Sequence, residues 1–586
     1  MAVEGASGLT AFIRRAAQVL AAALLMLPSL ANAADDRPRL IVITDIGTEP
    51  DDIESMVRLL TYANEIEIEG LIAATSRHMA ERVRPELIEE RVQAYGTVLA
   101  NLRVHDPRYP DAAVLQSRIR AWHPEPGMVG VGKGKANAAS QLIIDAVDKA
   151  DTRPVWVSVW GGAAPLAQAL WTVRETRKAA DVARFVAKLR VYSISDQDDA
   201  GPWARANFPH LFWVASIHGP GQYGLATWTG ISARIEGADN DVVSKRWLRR
   251  NIQSAGPLGA LYPTPMFIME GDTPSFLNLI QNGLSVPDRP DWGGWGGRWE
   301  QPSPEFGLWA DTTDTVTGAD GKSHNTNKST VWRWRKAFQN DFAARMRWSV
   351  TPKYADANHA PRLVLNGAAG TAPVRISVCP GGTTVLSSAG SVDPDGQPIS
   401  IKWWQYREPS GFLPPDMKIA TPDAGETAIS VAQWQQPADF PLSPVVSLHI
   451  LLEAADNGAL PLVAYRRAII DIPTDGRTVD GKPCPKVAYR HQSYDPAAKP
   501  RTVLPGAWHS TVESEIGELL DNPATRAVID RHLPGVSELA DKFALVRSMT
   551  FDALRGIEPK VTDAVLDRMD AELAGIPPPP DAAMKQ

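Results

Sequence analysis

The chain has 586 residues, too many for a single hydrophobic core, so two to four domains are expected. A net charge of −7 without any basic run excludes the electrostatic footprint of a nucleic-acid-polymer binder. Nineteen tryptophans stand out, because indole rings pack cores and also stack on sugar rings.

Residues 1–33 read as a secretory signal peptide. Arg14 and Arg15 precede an apolar stretch from Ala16 to Leu27, and Ala31-Asn32-Ala33 supplies a small-x-small cleavage site. The apolar core is too short to span a membrane, with an uncleaved anchor as the alternative. No later segment is long and apolar enough to insert, so a soluble, exported protein, periplasmic or extracellular, is expected. Two cysteines, Cys379 and Cys484, permit one disulfide in such a protein.

The stretch from Arg39 to Leu60 carries the densest chemistry in the chain. Leu40 to Ile43 reads as a buried parallel strand. Ile53, Met56, Val57 and Leu60 have the spacing of a helix laid on a sheet. Between them Asp45, Glu49, Asp51 and Asp52 place four carboxylates on one strand-to-helix loop, where open α/β sheets bind ligands. Such crowding is costly unless a cation joins it, and Ca²⁺, which takes six to eight oxygens, fits. The alternative is a helix N-terminus favoured by Asp51 and Asp52, with Pro50 in its first turn.

Further strand-to-loop units come after it. Residues 66–75 form a second strand ending at Thr75-Ser76-Arg77-His78, and 79–101 are helical. Residues 130–140, GVGKGKANAAS, lack the GxxxxGK[ST] pattern of a phosphate loop and read as a flexible loop. Residues 154–170 are a strand, a Gly-Gly turn and a helix. Residues 190–209 bring Asp196, Gln197, Asp198 and Asp199 before Trp203, and 212–217 are a strand. Residues 219–262, with Trp228, read as an insertion or lid. Residues 264–280 read as an apolar strand delivering Gly271-Asp272 to a loop before a helix. In PDWGGWGGRWE, residues 290–300, paired glycines separate Trp292, Trp295 and Trp299. A glycan-stacking loop at the crevice mouth, joined by Trp309, and a Trp-rich plug on the fold's edge are both open readings. Helical residues 328–349 close a domain spanning 38–355. Strand-like alternation over 362–475 predicts a β-sandwich. A linker at 476–506, a small helical domain at 507–576 and a disordered tail at 577–586 complete the chain.

TDIGTEPDD resembles the DxDxGxDD signature of nucleoside hydrolases, with two extra residues before the Asp pair. With SDQDDAG it is more similar to a family of secreted bacterial proteins described as cellulose-binding. In that family a nucleoside-hydrolase-like domain precedes an immunoglobulin-like one, and the resemblance runs from about residue 39 to about 475. The DPDG turn at 393–396 resembles those of immunoglobulin-like sandwiches. Two departures stand out: Ile43 replaces the first Asp of the signature, and Gly271 replaces a His.

The resemblance implies an α/β nucleoside-hydrolase-like domain with a mostly parallel sheet and flanking helices and an all-β immunoglobulin-like sandwich; the helical period beyond residue 507 adds a small all-α C-terminal domain. It implies Ca²⁺ held by Asp45, Asp52, Asp272 and the Trp160 carbonyl, with Asp45 as the catalytic base. Asp51, Asp196 and Asp198 would bind sugar hydroxyls; Trp203, Trp292 and Trp295 would flank the sugar. Glu49 and Glu270 are leaving-group acids by position only. The expected activity is calcium-dependent glycosyl hydrolysis of a glycan or glycoside, furanosides first, by metal-activated water attack at the anomeric carbon. A non-catalytic glycan- or cellulose-binding protein with a degenerate site is the first alternative, and a ribonucleoside hydrolase the second.

Overall fold

The computed structural model describes residues 36–579 except 412–413, 439–440, 491–500, 538–539, 541–543 and 556. The expected signal peptide and residues 580–586 of the expected tail lie outside the described residues. The described residues from Arg39 onward belong to one compact unit.

Eight strands build the main sheet: β1 (Arg39–Thr44), β2 (Glu67–Ala73), β3 (Ile119–Ala121), β4 (Val155–Val159), β5 (Leu189–Ser193), β6 (Phe212–Ala215), β7 (Trp299–Glu300) and β8 (Leu308–Asp311). Their order is β3-β2-β1-β4-β5-β6-β8-β7. Every pairing is parallel except β7 with β8. The run Leu40 to Ile43 is unbroken because β1 is covered on both faces. Leu40 and Val42 enter one core with helices α1 (Asp51–Thr61), α2 (Pro85–His105) and α3 (Arg335–Trp348). Ile41 and Ile43 enter a second core with the helices Ala138–Asp148 and Ala164–Thr176. Strand order reverses between β1 and β4. That switch point, at the carboxyl ends of the strands, is where doubly wound sheets open a crevice.

Residues 374–473 form a four-stranded sheet and a three-stranded sheet around a separate core that includes Leu386, Trp403, Ile450 and Ile470. In the larger sheet Val374–Ser377, Val463–Pro473, Val445–Ala455 and Ser400–Tyr406 lie side by side. Its outer face packs on the α/β region, so Tyr406, Leu451 and Tyr465 belong to the first core. The turn at 393–396 is braced internally: the Asp393 carboxylate accepts the N–H groups of Asp395 and Gln397. Asp395 in turn accepts from His359 of the connecting segment, through its backbone N–H and at Nδ1. Cys379 and Cys484 are bridged, closing a loop with sequence separation 105. Beyond residue 501, helices including Ile516–Asp521, Pro523–His532 and Asp563–Leu573 gather their own core around Leu519, Ile529 and Leu566.

Two expectations are corrected. Residues 264–270 form no strand, and Met266 and Phe267 are 66% and 81% exposed. Instead Glu270, with φ 54°, is locked in place by Arg58, the Tyr262 hydroxyl at 2.7 Å and the Thr273 hydroxyl at 2.9 Å. The Trp-Gly loop is a plug, not a platform. Trp292, Trp295 and Trp299 are 8%, 1% and 1% exposed. Trp292 meets His449 edge-on, and its carbonyl accepts from Arg467, so the indole is spent on docking the β-sandwich. The glycines are needed because this docking is close: a Cβ on Gly293, whose φ is 70°, would overlap the Tyr406 hydroxyl.

Candidate functional site: an acidic crevice at the switch point

Four acids converge where β1 and β4 end. Asp45 follows β1, Asp51 and Asp52 open α1, and Asp272 arrives on the turn held by Glu270. Asp45, Asp52 and Asp272 are 3%, 4% and 1% exposed. Carboxylate oxygens of Asp51, Asp52 and Asp272 lie within 4.8 Å of one another. The first turn of α1 directs its backbone N–H groups toward Asp51 and Asp52, a partial positive charge far smaller than the charge gathered there.

Neighbouring residues aim these side chains. Thr44 donates to Asp52, and Ser76 donates to Asp45. The Ser76 hydroxyl is held by the N–H groups of His78 and Met79 at 2.9 and 3.2 Å. The Gly-Gly turn forms the floor. A Cβ on Gly161 would stand 2.5 Å from Asp45 Oδ1, and one on Gly162 would overlap Asp198. Glycine at both positions is thus what lets two acids lie across the end of β4.

The electrostatics are lopsided. Burial pushes the Asp45 carboxyl up, and the Ser76 hydrogen bond only partly offsets it. Burial, then the charges of Glu49 and Asp45, push Asp51 up to about 7. Burial followed by the charges of their acidic neighbours drives Asp52 and Asp272 well above the usual range. Asp198 is pushed up to about 6 by burial. Among the described residues none of these acids forms an ion pair, and Asp51 Oδ1, Asp198 Oδ2 and Asp272 Oδ2 lack hydrogen-bond partners. Oxygen donors with unmet demand for positive charge fit a hard divalent cation.

The structure redistributes several expected roles. Asp51 joins Asp52 and Asp272 as the closest trio, while Asp45 stands beside them. The Trp160 carbonyl accepts the Gln197 amide at 2.8 Å, which commits one of its lone pairs. Asp196 is corrected from sugar ligand to ion-pair partner: Arg205 holds both its oxygens, at 2.9 and 2.6 Å. Trp203 is corrected from crevice wall to helix surface, packed against Phe208 and beneath Arg174. Glu270 is corrected from acid to anchor, its two oxygens consumed by Arg58, Tyr262 and Thr273. Trp292 and Trp295, sealed in the plug, do not reach the crevice as sugar-flanking rings.

The aromatic wall comes from the expected insertion. Trp228 packs against Gly271, where a Cβ would stand 2.9 Å both from its ring and from Asp51 Oδ2. Its Nε1 donates to Ser195 at 3.1 Å, and Ser195 contacts His218 Nε2 at 2.6 Å. Tyr223 lies beside Trp228 and meets His78 Nε2 at 3.0 Å. Only the marking of 219–262 as an insertion hinted at this wall, because its aromatics show no periodicity in sequence.

Comparison with known proteins agrees with this architecture. Residues 39–299 match the family described as cellulose-binding Sde182, nucleoside hydrolase-like domain. Residues 383–472 match the family described as cellulose-binding protein Sde0182, C-terminal domain. A solved structure of a nucleoside hydrolase-related hypothetical protein from Saccharophagus degradans, described as associated with carbohydrate metabolism, is 34% identical. The alignment covers 74% of this chain and 100% of that one, with a TM-score of 0.63. The solution structure of the PKD domain from KIAA 1837 protein aligns over 19% of this chain and 100% of that domain, at 14% identity and a TM-score of 0.13, too low to support an argument. No curated protein matches significantly.

Proposed function

The chain belongs to the cellulose-binding Sde182 family with a nucleoside-hydrolase-like domain, and from that premise we propose that it is an exported, calcium-dependent glycosyl hydrolase acting on carbohydrate. One observation carries the reading: buried carboxylates meet at the switch point with, among the described residues, no ion-pair partner and with unpartnered oxygens. Asp51, Asp52 and Asp272 would hold Ca²⁺, with Asp45 alongside. The ion, when bound, supplies Lewis acidity to a sugar's vicinal hydroxyls and to water. Asp45, oriented by Ser76, takes a proton at its carboxylate as water adds to the anomeric carbon. Trp228 and Tyr223 wall the sugar, and Asp198 offers its unpartnered oxygen to a hydroxyl. Glu49, at the half-open rim, is the remaining candidate acid for the leaving group.

The test is calorimetric calcium titration of the wild type and Asp52→Ala, followed by a hydrolysis screen of furanosides and glycans with and without chelator. Stoichiometric calcium lost in the variant, with chelator-sensitive turnover abolished by Asp45→Asn, is expected. A wild type that takes no calcium at millimolar concentration defeats the reading.

A second reading has a specific observation behind it. Trp228 lies against Gly271, the position where the resembled hydrolases carry His, and Glu270 beside it is fully engaged. A non-catalytic glycan-binding protein accounts for that loss. Saturable glycan binding with no turnover across the calcium-loaded screen would select it.

A further inference from the structure

We propose a binding site for a tetrahedral oxyanion, phosphate or sulfate, in the cleft where the Trp-Gly loop meets the outer face of the four-stranded sheet. It uses none of the crevice residues. The cleft encloses about 420 Å³, within the size range of ligand sites, and Arg289, Trp292, Arg375 and His449 are among its lining.

Strand register assembles this lining. Arg375 pairs with Ile469 on one side of the strand Val463–Pro473, and His449 pairs with Ile469 on the other. Residues in register share a face, and Ile450, Ala468 and Ile470 take the sandwich side. Arg375 and His449 therefore stand in one row on the outer face, two strand spacings or roughly 10 Å apart. Arg289 arrives from the loop, its guanidinium 4.5 Å from the Trp292 ring, and Trp292 meets His449 edge-on at 4.9 Å.

His449 is held as a donor. Arg467 is fully buried and forms no ion pair among the described residues. Its Nε and Nη2 donate to the carbonyls of Leu284, Trp292 and Gly293, and its Nη1 donates to His449 Nδ1 at 3.0 Å. A guanidinium has no acceptor, so Nδ1 accepts and the neutral ring carries its hydrogen on Nε2. Burial, then the charges of Arg467, Arg289 and Arg375, push the imidazole down to about 2, so it stays neutral. His449 is 2% exposed and Nε2 has no protein partner, yet this atom is not closed off from solvent.

The two surface guanidiniums are balanced but not filled. Arg289 grips Asp291 and Arg375 grips Asp471, each through Nε and Nη2, which leaves Nη1 without a partner on both. Two aspartates offset two of the three cations, and the charge of Arg467 remains over. A carboxylate is matched by one free guanidinium fork, and both forks here are occupied. What remains is three single N–H donors from three chain segments around a surplus positive charge. A group with oxygens on several sides fits that arrangement.

The experiment is calorimetric titration of the full chain with sodium sulfate and sodium phosphate at constant ionic strength, with sodium acetate as the planar counterpart. Wild type should bind one sulfate or phosphate saturably, and acetate about tenfold more weakly or worse. Arg375→Gln and Arg289→Gln, at side chains 53% and 47% exposed, should each weaken binding about tenfold or more through loss of a charge-assisted donor. Arg477→Gln is the control: that guanidinium is 49% exposed and grips Asp475 in the same way, outside the cleft, so affinity should not change. No binding of either oxyanion by the wild type at millimolar concentration overturns the proposal. So do wild-type affinity in both Arg375→Gln and Arg289→Gln, an equal loss in Arg477→Gln, or acetate bound as tightly as sulfate.

Discussion

Asp314 and the crevice acids are buried to the same degree and have opposite electrostatics. Asp314, fully buried, accepts from Arg298 at 2.6 Å, Arg333 at 2.7 Å and the Tyr406 hydroxyl at 2.6 Å. Burial alone would raise its carboxyl, but the two guanidiniums outweigh burial and hold it below the usual range. Asp45, Asp51, Asp52 and Asp272 are buried among one another, and all are raised. A buried acid that brings its own cations is a structural joint, here between the α/β region and the β-sandwich. A buried acid without one is left demanding a partner from outside.

Arg298→Ala should lower stability by about 3–5 kcal/mol, because Asp314 is left buried and half paired. Asp272→Asn should instead raise the stability of calcium-free protein by about 0.5–2 kcal/mol, the usual gain from relieving a strained functional site. Urea unfolding midpoints of both variants in chelator check the pair. A destabilised Asp272→Asn would make the crevice a structural joint as well.

Calcium should act on one set only. At a hundredfold excess over its dissociation constant it should stabilise the wild type by about 2.7 kcal/mol, and Arg298→Ala by the same increment. The increment should vanish in Asp52→Ala. Thermal unfolding with and without calcium reads all three.

The pH dependence should also run in opposite directions. Asp51 rises from 3.8 to about 7 and Asp198 to about 6 on folding. Between those values the folded chain keeps protons that the unfolded chain has shed. Calcium-free protein should therefore lose stability as pH rises from 3.8 toward 7. Asp314 is lowered, so its contribution is present above 3.8 and lost as pH falls through its folded value. Calcium-free unfolding midpoints across pH should show the first slope, and Asp51→Asn should make it shallower without abolishing it. A midpoint that does not fall from pH 4 to 7 would contradict the crevice assignment.

The parts of this contrast that were legible in sequence are local. TDIGTEPDD places its acids within one loop and one helix turn, so their convergence follows from β1 and α1 alone. Asp272 was legible through resemblance, although the strand expected before it is absent: Glu270 is positioned by Arg58, 212 residues away in sequence. The tryptophans were not legible. Whether Trp292 stacks on a sugar or meets His449 edge-on depends on where the β-sandwich docks, and no spacing within 290–300 encodes that. Asp196 is similar: its partner Arg205, on the helix that follows, takes one bond to each of its oxygens.

Trp228 and Trp203 differ in surroundings as the two sets of acids do. Trp203 follows the acidic loop after β5 and sits under Arg174 on a helix surface, whereas Trp228 stands against Gly271 and Asp51. Trp228→Phe keeps an aromatic wall and removes the Nε1 bond to Ser195, a loss of about 0.5–1.5 kcal/mol in stability. Because Ser195 also contacts His218, its release should loosen the wall and weaken sugar binding at the calcium-loaded crevice severalfold. Trp203→Phe removes no such bond and should change neither sugar affinity nor calcium affinity. Equal effects of the two substitutions on affinity would mean that the wall lies elsewhere, since only Trp228 is within reach of the acids.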